Sequence, residues 1–289
     1  MSIFNFRKSR KEWDVIIRPK SGLFELNLRE LWAYRDLLIL LIRRDIVIVY
    51  KQTLLGVFWF ILPPVLNSAI YIIIFGLFAG VDTGSSNMVL FYFCGTITWG
   101  YFSDCIIRTA TTFRTNQHVF GKVYFPRLIV PLGSVLSALV KFGIQFAFFI
   151  GIISYYTLAG QPLTMNWSLI WLLPVVLILM AFSGLAFGLI ITSITNKYRD
   201  LSNIVPIAVQ FLMYATPVMY PYTFFPEKYQ WVIDINPISP MIEIFRYVFL
   251  GSDRLSYLHL AYSAGFSIVI LLIGLILFNK TERTFMDTV

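Results

Sequence analysis

Residues 57–80 read VFWFILPPVLNSAIYIIIFGLFAG, 24 positions without one charged side chain. A helix needs about 20 predominantly apolar residues to cross the hydrocarbon core of a bilayer, so this stretch is predicted to span a membrane. Five more stretches qualify. Residues 88–107 are less pure and run into Asp104 and Arg108; residues 128–158, 169–194, 204–220 and 257–278 complete the set. None alternates apolar and polar residues as a barrel strand would. The chain is therefore expected to be an all-α integral membrane protein with six transmembrane helices. Of its 289 residues, 58% are hydrophobic, 17% aromatic and only 13% charged, whereas soluble domains carry roughly 25% charged residues. A soluble enzyme and a disordered chain are both excluded on that ground.

The flanks of these spans set the orientation. Arg7, Lys8, Arg10, Lys11, Arg18, Lys20, Arg29, Arg35, Arg43, Arg44 and Lys51 precede the first span. Arg108, Arg114, Lys122 and Arg127 follow the second, Lys197 and Arg199 the fourth, and Lys280 and Arg283 the sixth. The opposite side holds only Lys228, Arg246 and Arg254. Basic loops stay in the cytoplasm, so both termini are expected there. The basic start has no apolar run directly behind it, and no cleavable leader is expected. The chain is divided into a cytoplasmic N-terminus, 1–56, and a transmembrane domain, 57–289. Within the first part, residues 26–50 mix apolar runs with Arg29, Arg35, Arg43, Arg44 and Asp45, a pattern that fits an amphipathic helix in the inner interface. Between spans five and six, residues 221–251 hold two apolar pieces, 229–235 and 241–250, too short to span and separated by proline. They are expected to be re-entrant helices on the outer side.

The chain lacks the usual catalytic constellations. There is no Gly-x-x-x-x-Gly-Lys-Ser/Thr, so ATP is not bound here by a P-loop. His118 and His259 stand far apart without metal-ligand companions and read as interfacial residues; Cys94 and Cys105 read as small buried side chains. No metal site is expected. Charges at membrane depth draw more interest. Asp104 and Arg108 lie one helical turn apart and are expected to pair. Lys141 falls inside span three, where it would meet an anionic substrate, pair with a partner such as Asp104, or snorkel. Glu243 and Arg246 share one face of the second outer piece and are expected to pair. Gly76-x-x-x-Gly80 and Gly184-x-x-x-Gly188 suit close helix contacts. Pro63-Pro64 should kink span one and free backbone carbonyls. Phe58, Trp59 and Phe60 in span one, Trp99, Tyr101 and Phe102 in span two, and Phe211 and Tyr214 in span five place aromatic rings where sugar rings would stack.

Six segments, taken in order, resemble one family. Arg43-Arg44-Asp45, then Tyr50-Lys51-Gln52-Thr53-Leu54-Leu55-Gly56, Trp59 and Pro63-Pro64 look like the approach to span one in ABC-2 type permeases that export polysaccharides. The likeness is to the O-antigen and capsule exporters, with teichoic-acid permeases as cousins. Phe125-Pro126-Arg127, Tyr198-Arg199-Asp200-Leu201, Thr216-Pro217-Val218-Met219-Tyr220-Pro221, Asn236-Pro237 with Ile242-Glu243 and Arg246, and Glu282-Arg283-x-Phe285-x-Asp287 continue it. The resemblance implies a homodimer in the bacterial inner membrane, served by two copies of a separate P-loop ATPase that carries ATP and Mg. It implies a cargo of lipid-linked polysaccharide, no cofactor on this chain and no nucleic-acid partner. A short cytoplasmic helix at 113–122 would couple to the ATPase through Phe113, Arg114, Asn116, Gln117, His118 and Lys122, with Arg199 and Asp200 as a second contact. Arg43, Arg44, Lys51, Phe58, Trp59, Phe60, Trp99, Phe211 and Tyr214 are the expected substrate path. An ABC-2 exporter of another lipid or drug, or an ion-coupled transporter using Asp104, are the alternatives.

Overall fold

The computed structural model describes residues 28–84, 87–116, 125–161, 163–195, 200–251 and 254–285, and among these every regular element is helical. Two helices, α1 (Leu28–Ala33) and α2 (Arg35–Tyr50), come first. The first apolar segment follows as a 3₁₀ turn (Gly56–Phe60), α3 (Leu62–Tyr71) and a π-helical stretch (Ile72–Phe78). Then come α4 (Met88–Ala110), α5 (Thr112–Thr115), α6 (Ile129–Leu158), α7 (Leu172–Thr195) and α8 (Leu201–Tyr214). The chain closes with α9 (Trp231–Ile235), α10 (Ser239–Leu250) and α11 (Tyr257–Phe285). Three described helices, α6, α7 and the Tyr257–Thr281 part of α11, are long and apolar enough to cross a membrane; Leu62–Phe78 and Leu201–Tyr214 are shorter apolar helices.

α4 is the centre of the bundle. Every residue from Leu90 to Trp99 is buried, as suits a helix that is apolar on all sides. It packs against α3, α6, α7, α8 and α10. Small residues permit the approach: a Cβ on Gly184 would stand 2.5 Å from that of Cys105, and one on Gly188 would overlap the Thr109 side chain. The Gly184-x-x-x-Gly188 pattern is thus a contact within one chain. The Thr192 hydroxyl donates to the Thr109 carbonyl at 2.5 Å, and the Ser183 and Ser267 hydroxyls meet at 2.7 Å, so α7 is tied to both α4 and α11. The other pattern holds for its first glycine alone. Gly76 faces Met88 Sδ, but Gly80 lies in a turn at φ +61° with nothing against it.

Two spans differ from expectation. Pro63-Pro64 does not kink a continuous helix; the prolines open α3 in its first turn, where a missing N–H goes unmissed, and the chain before them is 3₁₀. The freed carbonyl is real. Pro64 leaves the Phe60 carbonyl without its helical donor, and the Gln145 amide of α6 donates to it at 2.8 Å. α8 ends at Tyr214 rather than near 220, because Pro217 cannot continue it. Its 14 residues reach about 21 Å.

Short helices also form in the two windows outside the spans. Residues 26–50 break at Tyr34 into α1 and α2. α2 lies along α6, with Leu41 buried beside Gly133 and the Ser137 hydroxyl donating to Asp45 at 3.4 Å. Its free side exposes Ile39, Leu40 and Ile48 together with Arg43, the mixture that suits an interfacial helix. α9 and α10 part at Asn236-Pro237, and α10 is buried almost end to end against α4, α7 and α11. Protein rather than lipid covers it, which is the condition for a short apolar helix that does not span.

Candidate functional site

At the C-terminal end of α8 two of the sequence motifs converge. A helix ends with carbonyls that lack donors, and side chains supply them here. The Thr216 hydroxyl donates to the Leu212 carbonyl at 2.8 Å and the Tyr220 hydroxyl to that of Tyr214 at 2.7 Å. The Asn236 amide donates to the Ala215 carbonyl at 3.1 Å and to Thr216 Oγ1 at 2.8 Å. Arg246, fully buried, donates to the Pro217 carbonyl at 2.6 Å and to the Val218 carbonyl, and its guanidinium stacks 3.7 Å above the Phe91 ring. Gly95 of α4 leaves the room for that guanidinium.

Glu243 and Arg246 each have a further partner besides the one expected from helical spacing. Arg246 serves the α8 terminus, while Glu243 accepts from Arg254 Nε at 3.1 Å. Arg254 also pairs with Asp234 and lies 3.6 Å over the Tyr222 ring. Burial works against the Arg254 charge, but hydrogen bonds and attraction from Asp234 and Glu243 outweigh it and hold its pKa above the ordinary value. Burial pushes the Tyr222 phenol up, against the pull of Arg254. His259 stands 3.7 Å from Asp234 and 2.7 Å from Ser256 Oγ. The Ser256 hydroxyl also accepts from the His259 backbone N–H at 3.4 Å, so this trio is a helix cap. Asp104, expected to pair with Arg108, instead pairs with Lys141 across the α4–α6 contact at 2.7 Å. Among the described residues, no group of three or more His, Cys, Asp or Glu could hold a metal ion.

The expected path residues divide by exposure. Phe58 is 66% and Phe211 69% exposed, and Trp59 and Tyr214 are also open, whereas Phe60 is 2% exposed. Trp99 is likewise buried, its ring 5.4 Å from that of Phe102. The two segments touch: the Tyr71 hydroxyl of α3 donates to Met213 Sδ of α8 at 3.7 Å. Both helices run antiparallel to α4. Ser68 meets Thr96 at 3.3 Å and Gly76 faces Met88, while Ser202 meets Arg114 and the Val218 carbonyl faces Gly95. α3 and α8 are therefore parallel. Arg43 and Lys51 are exposed; Arg44 is held by Asp45 at 2.9 Å and by Asn116 at 3.4 Å. Between α2 and the first apolar segment, the Thr53 hydroxyl donates to the Tyr50 carbonyl and accepts from the Gly56 N–H, with Gln52 and Gly56 both in the left-handed region. The Tyr50–Gly56 motif is a tight elbow.

α5 joins three elements. Phe113 stacks on Phe278 of α11 with ring centroids 5.3 Å apart and planes 5° from parallel. Arg114 donates to the Ser202 hydroxyl of α8 at 2.7 Å. Asn116 accepts from Arg44 of α2 and donates to the Thr112 carbonyl at 3.1 Å. Asp200 is exposed just before α8; Gln117, His118, Lys122 and Arg199 lie outside the described residues. Sequence reasoning missed Ser202 and Phe278, whose only signal is their place at a span's end. It also missed the Asp234–Arg254–Glu243 cluster, whose members are separated by loop residues that no helical or strand period connects.

Residues 36–250 match the ABC-2 type transporter family. The O-antigen export system permease protein RfbA of Klebsiella pneumoniae is 29% identical over 254 residues, covering 87% of this chain and 94% of that protein. A protein of the same name from Myxococcus xanthus is 26% identical, over 90% of this chain and 98% of its own length. The polysialic acid transport protein KpsM of Escherichia coli is 25% identical, over 81% and 89% respectively.

Proposed function

Because this chain belongs to the ABC-2 type transporter family of membrane proteins, we propose that it is the membrane subunit of an ATP-driven exporter of lipid-linked polysaccharide in the bacterial inner membrane. Relatives named for O-antigen export and polysialic acid transport support a glycan cargo. The single observation that carries the reading is the exposure of aromatic side chains on segments one and five, Phe58 and Trp59 on the first and Phe211 and Tyr214 on the fifth. Aromatic faces hold sugar rings weakly and without regard to sequence, which lets a chain slide.

In this reading six segments span the membrane with both termini in the cytoplasm, and two copies face each other across the path. A separate P-loop ATPase supplies ATP and Mg chemistry. α5 receives its motion: bonded to α2, α8 and α11 at once, it would transmit a push at Phe113 and Arg114 to the segments that line the path. Exposed Arg43 and Lys51 would greet the anionic headgroup, while Arg44 holds α2 to α5. Ion coupling through Asp104 is disfavoured, since Lys141 already neutralises that carboxylate at 2.7 Å.

The test is gentle detergent purification of the tagged chain from its own host after crosslinking. A P-loop ATPase at one copy per permease is expected. Intact permease without any ATPase would overturn the proposal. In that complex Arg114→Ala should leave ATP binding intact and lower export.

A further inference from the structure

The open faces of α3 and α8 carry amides inside apolar segments, where lipid offers no hydrogen-bond partner. Asn67 on α3 and Gln210 on α8 are exposed. The Tyr71 hydroxyl reaches Met213 Sδ, so these two parallel helices touch. Asn67 precedes that contact by four residues and Gln210 by three, or about 6 and 4.5 Å at 1.5 Å per residue. Phe211 and Tyr214 are exposed on the same helix as Gln210.

The same faces carry no charge. No Lys, Arg, Asp or Glu occurs from residue 52 to 81 or from 201 to 226. Passages for anions and phosphates are built with rings of Arg or Lys, because an unpaired charge in a low-dielectric passage is heavily penalised. A purely apolar cargo needs no amide at all. Uncharged sugars need both things present here, ring faces to stack on and neutral donors and acceptors for hydroxyls.

We infer that the polysaccharide in transit is uncharged along its length, and that Asn67 and Gln210 hold its hydroxyls by neutral hydrogen bonds. This rests on the export reading above. Exposed Arg43 and Lys51 lie before the first of these uncharged segments, which places the anionic part of the cargo at its lipid-linked end.

Two measurements test it in the native host. First, surface polymers are compared between the wild type and a strain lacking this gene, and the polymer that disappears is hydrolysed and its sugars identified. Neutral sugars alone are expected. Repeats bearing uronic acid, sialic acid or phosphate would overturn the inference while leaving the export reading intact; loss of no polymer would overturn the export reading itself. Second, Asn67→Leu/Gln210→Leu is compared with Asn67→Gln/Gln210→Asn at equal membrane abundance. The leucine pair should export on the order of tenfold less, the worth of two neutral hydrogen bonds, and the amide-swapped pair should recover most of it. Export unchanged in the leucine pair would overturn the residue assignment, as would loss of the subunit association in that pair by light scattering.

Discussion

Gly95→Ala should dislodge Arg246 and loosen the segment from 215 to 251. A Cβ at position 95 would overlap the Arg246 guanidinium and stand 2.9 Å from the Val218 carbonyl oxygen. The guanidinium has no free space to retreat into, since Arg246 is fully buried. Moving it sacrifices the bonds to the Pro217 and Val218 carbonyls, at about 1.5–3 kcal/mol each for charged donors. Alanine returns up to about 1 kcal/mol of helix propensity. The net loss is about 2–5 kcal/mol. Gly100→Ala is the control on the same helix, because nothing lies within 4 Å of its added Cβ. The assay is thermal unfolding of both purified variants in detergent, with limited proteolysis of residues 221–251 alongside. Gly95→Ala should unfold well below wild type and be cut faster, and Gly100→Ala should match wild type. An Arg246→Met background should shrink the effect of Gly95→Ala by more than about 1 kcal/mol, the coupling expected of direct neighbours. Equal stability of the two glycine variants would refute the account of the buried guanidinium.

Other perturbations follow the same physics. Asp104→Asn or Lys141→Met alone leaves one charge of a 2.7 Å pair without its partner at partly buried positions, so each should destabilise by about 1–3 kcal/mol, and the double variant should be less destabilised than the two singles summed, as a thermal double-mutant cycle would read. Arg254→Met should release Asp234 and the nearly fully buried Glu243 and speed proteolysis between α9 and α11, with Arg254→Lys intermediate because it cannot serve two carboxylates in one plane. Cys94 and Cys105 are buried thiols outside any disulfide; a water-soluble maleimide should label neither until denaturant is added, and fast labelling in the native protein would contradict the packing of α4.

Much of the candidate site was legible in the sequence because its signals are local. Membrane segments announce themselves by length and lack of charge, and 128–158 and 169–194 are reproduced within a few residues by α6 and α7. The Asn236-Pro237 break and the aromatic positions on segments one and five are likewise properties of short windows. The illegible part is made of long-range choices. Arg246 is three residues from Glu243, and helical spacing favours their pairing; what spacing does not show is that the fold also brings Pro217 and Val218 carbonyls to the arginine and Arg254 to the glutamate. Asp104 had two candidates in the sequence, Arg108 one turn away and Lys141 in span three, and the α4–α6 contact brings Lys141 to it at 2.7 Å.

The sequence by itself determined that this is a helical membrane protein with basic flanks, a proline-broken segment before the last span and aromatic residues in segments one and five. Hydropathy and charge act over windows of about 20 residues, so no tertiary contact is needed to read them. Only the tertiary structure decided which aromatic residues are open and which are core, for Phe58 and Phe60 differ by two positions in a 3₁₀ turn whose facing depends on α6. It also decided which charges pair. An ion pair forms between the groups that packing brings together, and the approach of α4 to its neighbours is governed by glycine gaps that no periodicity in the sequence ranks.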